Sequence, residues 1–184
     1  MANDNLPGIM PINMPYGNFR VRRYSVAATI ATDLFIGDPV DIANTGTVVR
    51  ATAGAGNYIS GIVVGCYDSA GAPIGYCPSS TAGYVLVADD PNQQFIAQED
   101  GDGSTLALAD VGANVDVVIN AGSTFNNKSG AVLDSSSLNT AANGQFRILA
   151  KQDRVNNDVG AAYCKWIVQI NYHRLLQGTV GAAI

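Results

Sequence analysis

Apolar and polar residues alternate with a period of two along much of this 184-residue chain. That period puts successive side chains on opposite faces of an extended strand. The clearest case is Trp166 to His173, where Trp166, Val168, Ile170 and Tyr172 share one face and Gln169, Asn171 and His173 the other. Phe146 to Lys151 puts Phe146, Ile148 and Ala150 on one side, and Val115, Val117 and Ile119 alternate with Asp116, Val118 and Asn120. Tyr84 to Ala88 and Gln94 to Gln98 read as strands parted by Asp89-Asp90-Pro91-Asn92, and Ser129 to Leu133 as another. Val40 to Ile42 and Thr47 to Arg50 flank Asn44-Thr45-Gly46, a hairpin signal. Asn57 to Tyr67 is an apolar strand kinked at Gly61 and Gly65, followed by a turn-rich stretch from Gly71 to Ser80. In Phe19 to Val26 the parity slips at Arg23, which predicts a bulge or a strand end. One short helix is expected over Thr105 to Val111, with Ser104 as cap and Gly112 as stop.

About ten short strands joined by turn chemistry give an all-β chain, a single β-sandwich or barrel-like domain of jelly-roll or β-tulip type. The expected core domain is residues 19–176, with a small-residue tail at 177–184. Residues 1–18 read as an extended N-terminal arm. Pro7, Pro11 and Pro15 fix φ and remove donors, which rules out a helix or a central strand. Ile9, Met10, Ile12, Met14 and Tyr16 are nonetheless apolar, more than a solvated terminus carries. Such an arm is expected to lie on a groove or another subunit.

Composition supports strands over helices. Fourteen of the fifteen acidic residues are Asp, Glu99 being the exception, and there are three lysines, so exposed helix formers are scarce. Charged residues make up 14% of the chain, against roughly 25% in ordinary globular domains. The charge is unevenly spread. Ala51 to Asn127 holds eight acidic and no basic residues, whereas Lys128 onward holds six basic and three acidic. Arg20, Arg22 and Arg23 form the densest positive cluster. Three arginines in a chain of pI about 4.5 are too few for a nucleic-acid footprint. They are read as facing a partner or as pairing with the acidic middle. The start lacks a signal-peptide pattern and no apolar run is long enough to span a bilayer, so no membrane partner is expected. Cys66, Cys77 and Cys164 have no metal-ligand spacing and read as buried reduced thiols; a Cys66–Cys77 bridge is allowed but not selected by anything in the sequence.

Catalytic patterns are not found. His173 is the single histidine and reads as a solvent or interface residue; no Gly-x-Ser-x-Gly elbow, paired histidines or phosphate-binding glycine loop accompanies it. Asp100, Asp102 and Ser104 match the first ligand positions of a calcium loop, but Thr105 and Val111 stand where Gly and Glu are needed. The expectation is a non-enzymatic protein without a cofactor or dedicated metal.

Three features together resemble the cement, or head decoration, proteins of tailed phages. They are the arm running into Phe19-Arg-Val-Arg-Arg-Tyr24, the pair Gly37-Asp-Pro-Val-Asp-Ile42 and Ser60-Gly-Ile-Val-Val-Gly65, and the closing Phe146-Arg-Ile-Leu-Ala150 with Trp166-Ile-Val-Gln-Ile170. The resemblance implies a structural protein made in the bacterial cytoplasm and located on the capsid exterior. Its partner would be the major capsid protein, engaged by homo-oligomers, trimers at three-fold positions or dimers bridging capsomers. Ile9, Met10, Ile12, Met14, Tyr16, Phe19, Arg20, Arg22 and Arg23 would then contact capsid or sister subunits. Two other readings share the composition: a tail or fibre subunit, and a carbohydrate-binding module using Trp166 and the tyrosines Tyr58, Tyr67, Tyr76, Tyr84, Tyr163 and Tyr172.

Overall fold

A strand that is apolar on one face must bury that face, and two such sheets do so against each other. In the computed structural model, which describes residues 6, 8–12, 19–139 and 144–176, strands form two antiparallel sheets and a short ribbon. The strands are β1 (Met10–Pro11), β2 (Val21–Val26), β3 (Leu34–Phe35), β4 (Pro39–Ile42), β5 (Val48–Arg50), β6 (Gly61–Asp68), β7 (Pro73–Ile74), β8 (Tyr76–Cys77), β9 (Gly83–Ala88), β10 (Gln94–Gln98), β11 (Asn114–Ser123), β12 (Lys128–Asn139), β13 (Phe146–Lys151) and β14 (Lys165–Ile170). The first sheet has the order β1-β10-β14-β13-β11-β12, the second β2-β9-β6-β4-β5 with β7 beside β6, and β3 pairs with β8.

The first sheet rolls up. Leu133 of β12 bridges Glu99, just past β10, and the Asp100 amide donates to the Leu133 carbonyl at 2.8 Å. Inside the roll lie Phe95, Ala97, Val115, Val117, Leu133, Phe146, Ile148, Trp166, Val168 and Ile170, joined by Ile62 and Ala88 from the second sheet and by Ile59 just before β6. In that second sheet Ile62 pairs with Ala88 and Val63 with Val87, so alternate residues serve opposite faces. Val63, Val85 and Val87 turn away from the first sheet and pack with Val26, Val40, Val48, Cys66 and Cys77 in a second core, which Leu34 and Ile30 cap. One valine-rich sheet thus serves two cores, which its near-continuous apolar sequence allows.

The all-β sandwich with barrel-like curling is the expected class. Gln94–Gln98 and Phe146–Lys151 form as read, and the hairpin at Asn44-Thr45-Gly46 closes with Gly46 at φ +76°. The expected helix does not form; the segment makes a single 3₁₀ turn at Leu108–Asp110. Seven residues are too few to sustain an α-helix without a packed face. Carboxylates instead take the free amides, with Leu106 N donating to Glu99 Oε2 at 2.8 Å and Ala107 N to Asp110 Oδ2 at 2.7 Å. The bulge expected near Arg23 is also absent. β2 pairs β9 in unbroken register from Val21↔Ala88 to Val26↔Gly83, and the irregularity lies in β6 between Val63 and Gly65.

Candidate interaction surface

The apolar N-terminal residues do not project from the domain. Met10 and Pro11 pair with Ile96 and Phe95 as an edge strand, where the missing proline N–H does no harm. Ile9 N donates to Gly37 O at 3.0 Å, Ile12 N to Gln94 O at 3.0 Å, and Gln93 Nε2 to Ile12 O at 2.6 Å. Ile9 is fully buried in the larger core. Gly8 sits at φ +66°, and a Cβ there would lie 2.5 Å from Ser129 Cβ and 2.9 Å from Gly37 O. The Ser129 hydroxyl in turn donates to the buried Asp38 carboxylate, whose other oxygen accepts the Phe35 amide at 2.9 Å. Residues 8–12 therefore wedge between β10 on one side and the Gly37 backbone and Ser129 side chain on the other, all of their own chain. This corrects the expectation for Ile9, which is core and not a partner contact. Met10 is the exposed member, Ile12 is half-buried, and Met14 and Tyr16 lie outside the described residues, as does the tail 177–184.

The arginine cluster divides by strand parity. Arg20 and Arg22 converge on Asp89, which is fully buried, with Nε to carboxylate distances of 3.2 Å each; Arg20 also reaches Asp90 at 3.9 Å. The Tyr24 hydroxyl donates to Asp89 Oδ2 at 2.6 Å, and desolvation, reinforced by that carboxylate, pushes the phenol up to about 12. Of the two roles read for these arginines, Arg20 and Arg22 take the pairing with the acidic middle. Arg23, on the other face, lies 3.5 Å over the Tyr84 ring in an open cleft of about 190 Å³ with Tyr67 and Leu86. Phe19 is half-buried and packs against the larger core.

Apolar side chains are exposed elsewhere, where period and spacing gave no signal. Gln98 pairs with Lys165 and Lys151 with Trp166, so the loops 99–113 and 152–164 leave the rolled sheet at the same end. They carry Leu108 (62% exposed), Val155 (84%), Val111 and Tyr163, and the same two loops also hold Asp100, Asp102, Asp110, Asp153 and Asp158. Phe125, 98% exposed, tips the β11–β12 hairpin. Apolar residues in such aspartate-bearing loops cannot be assigned to a core from sequence, because no periodic partner marks them.

The two carboxylates flagged in the sequence do come together with a third. Asp100, Asp102 and Asp134 bring ligand oxygens within 4.8 Å of one another. Ser135 Oγ donates to Asp100 Oδ1 at 2.7 Å, Ser136 Oγ to Asp134 Oδ1 at 2.6 Å, and the Ser104 amide to Asp102 Oδ1 at 3.0 Å. Each carboxylate thus has a hydrogen-bond donor from the chain itself. Asp134 is distant in sequence and could not be selected there.

His173 is buried, contrary to its reading as a solvent or interface group. The chain leaves β14 after Ile170 and runs beside Ile59, with Ile59 N donating to Tyr172 O and Arg174 N to Ile59 O, both at 3.1 Å. This turns His173 inward and Tyr172 outward. Its Nδ1 accepts the Leu175 amide at 3.0 Å, while Nε2 has no hydrogen-bond partner among the described residues. Desolvation lowers the imidazole to about 4, against opposing pull from Asp89, Asp90 and Asp41 and with a push from Arg20. A pKa lowered in the folded state stabilises the fold above the unfolded value near 6.5, and that contribution is lost as pH falls through about 4. The expected contribution is about 3 kcal/mol. Asp38, Glu99 and Asp116, raised by burial, act in the opposite sense and favour the fold as they take up protons. Comparing urea midpoints across pH 4–7 for the native chain and His173→Asn isolates the term: the difference between them is expected to vary through this window, and a constant difference would contradict the burial effect.

The aromatic rings are mostly used within the fold. Trp166 is fully buried, Tyr76 stacks on Phe35 at 5.0 Å, and Tyr58 is sandwiched between Tyr172 at 4.4 Å and the Arg174 guanidinium at 4.5 Å. Arg174 is itself held by both oxygens of Asp41. No protein-family model, no curated protein and no solved structure matches this chain.

Proposed function

We propose that this chain is a structural decoration protein that docks on the outer surface of an assembled phage head and cements its capsomer junctions as a homo-oligomer, a trimer or a bridging dimer. The observation that carries the reading is the end of the rolled sheet where two loops hold Leu108, Val111, Val155 and Tyr163 out to solvent, in segments that also carry five aspartates. Large exposed apolar side chains gathered at one end favour contact with another macromolecule. The aspartates of these loops would favour a basic face of the capsid protein and repel wrong registers. The sequence resemblance to tailed-phage cement proteins supplies the partner. A carbohydrate-binding role gains little support, since Trp166 and both faces of Tyr58 are already covered.

Docking is tested by sedimenting undecorated phage heads with purified protein. Saturable pelleting at a fixed ratio to capsid subunits is expected. The double variant Leu108→Asp, Val155→Asp alters only exposed loop positions; it is expected to keep its circular dichroism and lose at least tenfold in affinity. A folded variant that pellets as well as the native chain would remove this surface from the proposal, and native protein left wholly in the supernatant would remove the head as partner.

A further inference from the structure

The smaller core contains two thiols that meet across strands far apart in register. Cys66 lies on β6, paired with Ile74 and Val85, and Cys77 lies on β8, paired with Leu34. Cys66 Sγ reaches the Leu34 carbonyl at 3.7 Å, the backbone directly opposite Cys77. Cys77 Sγ reaches the carbonyls of Tyr84 at 3.6 Å and Tyr67 at 4.0 Å, the residues adjoining Val85 and Cys66. Each thiol therefore lies against backbone next to the other. Both are free and buried, and their proximity shifts the two thiols in opposite directions, Cys66 upward and Cys77 downward. Cys164 belongs to the other core, beside Glu99.

We propose that Cys66 and Cys77 are a disulfide-forming pair, which converts to a covalent staple between β6 and β8 when the protein meets a small-molecule disulfide oxidant. This inference is independent of what the protein docks on. The two sulfurs are not equivalent: Cys66 is raised and Cys77 lowered by their mutual proximity, so Cys77 is the first thiolate. That thiolate attacks one sulfur of the oxidant, forming a mixed disulfide and releasing one small thiol. Cys66 then gives up its proton and attacks the Cys77 sulfur, expelling the second small thiol. Two protein thiols are oxidised and one small disulfide is reduced to two thiols. Access comes through local opening of the two-residue strands β7 and β8, which hold few ladder hydrogen bonds. The product closes a short loop across residues 67–76 and ties the β3–β8 ribbon over the smaller core.

The test incubates the folded protein with oxidised glutathione, quenches with an alkylating reagent and maps peptides by mass spectrometry. The expected product is a Cys66–Cys77 cross-link, with Cys164 recovered as the alkylated thiol and a thermal midpoint raised by several degrees until reductant is added. Cys66→Ser is expected to retain glutathione on Cys77, while Cys77→Ser labels Cys66 far more slowly. A second arm in sub-denaturing urea accelerates opening without unfolding the population. Thiols still reduced in both arms, cross-links scrambled to Cys164, or faster capture at Cys66 in Cys77→Ser would each overturn the proposal.

Discussion

Replacing Ile9 with Ala is expected to lower folding stability by about 2–5 kcal/mol, the range for a fully buried aliphatic truncation that leaves a cavity. Ile9 has no exposed surface, its own amide donates to Gly37 O, and Ile12 farther along the segment donates to Gln94 O. Gly8→Ala is expected to act on the same wedge. It places a Cβ at 2.5 Å from Ser129 Cβ in a left-handed backbone conformation, so either the segment lifts or Ser129 and Asp38 shift. Urea denaturation of the isolated protein reads both. A free arm that orders only on a capsid would make both substitutions silent in the unbound protein, so unchanged midpoints would contradict the intrachain docking. This matters for function: the truncation that would remove an arm also removes part of the domain core. Loss of head binding after deleting residues 1–12 would report unfolding as readily as a missing contact.

The double substitution Arg20→Ala, Arg22→Ala is expected to be the second severe change, costing about 3 kcal/mol. Both guanidinium groups are about half exposed, so neither alone is essential, and their attraction to Asp89 is partly screened. The asymmetry lies in Asp89, whose side chain is fully buried. With both arginines gone, the Tyr24 hydroxyl is the one side-chain partner left to it among the described residues. An uncompensated carboxylate in that position is far costlier than a lost surface pair. Arg23→Ala is expected to cost at most about 1 kcal/mol, the scale of an exposed cation–π contact. Thermal unfolding of the three chains should rank them in that order. Equal effects for Arg23 and the Arg20, Arg22 pair would mean that parity along β2 does not separate the cluster.

Period-two alternation made the strands legible because each half-buried strand carries its own signal. Gln94–Gln98 and Phe146–Lys151 needed no tertiary information, and Trp166, Val168 and Ile170 face the core as their spacing requires. The reading failed where a partner distant in sequence decides the outcome. Ile9 was expected on a groove or another subunit because nothing nearby in sequence could cover it; the segment lies against β10 and Gly37 of its own chain. His173 was placed with the polar face by parity, but β14 ends at Ile170 and the bridge to Ile59 changes its direction. The expected helix was undone by Glu99, seven residues upstream of the Leu106 amide it accepts. The exposed loop residues were illegible for the converse reason, since a lone valine at a turn tip looks like any other valine.

Cementing, beyond docking, is tested most directly by the thermal disruption of undecorated heads, measured by calorimetry with and without saturating protein. A ligand that binds only the intact shell stabilises it by mass action, by about 2.7 kcal/mol per site when free protein is a hundredfold above Kd. The proposal predicts a disruption midpoint that rises with protein concentration and returns to the bare value with the Leu108→Asp, Val155→Asp chain. Heads that carry bound protein yet melt at the undecorated temperature would contradict it.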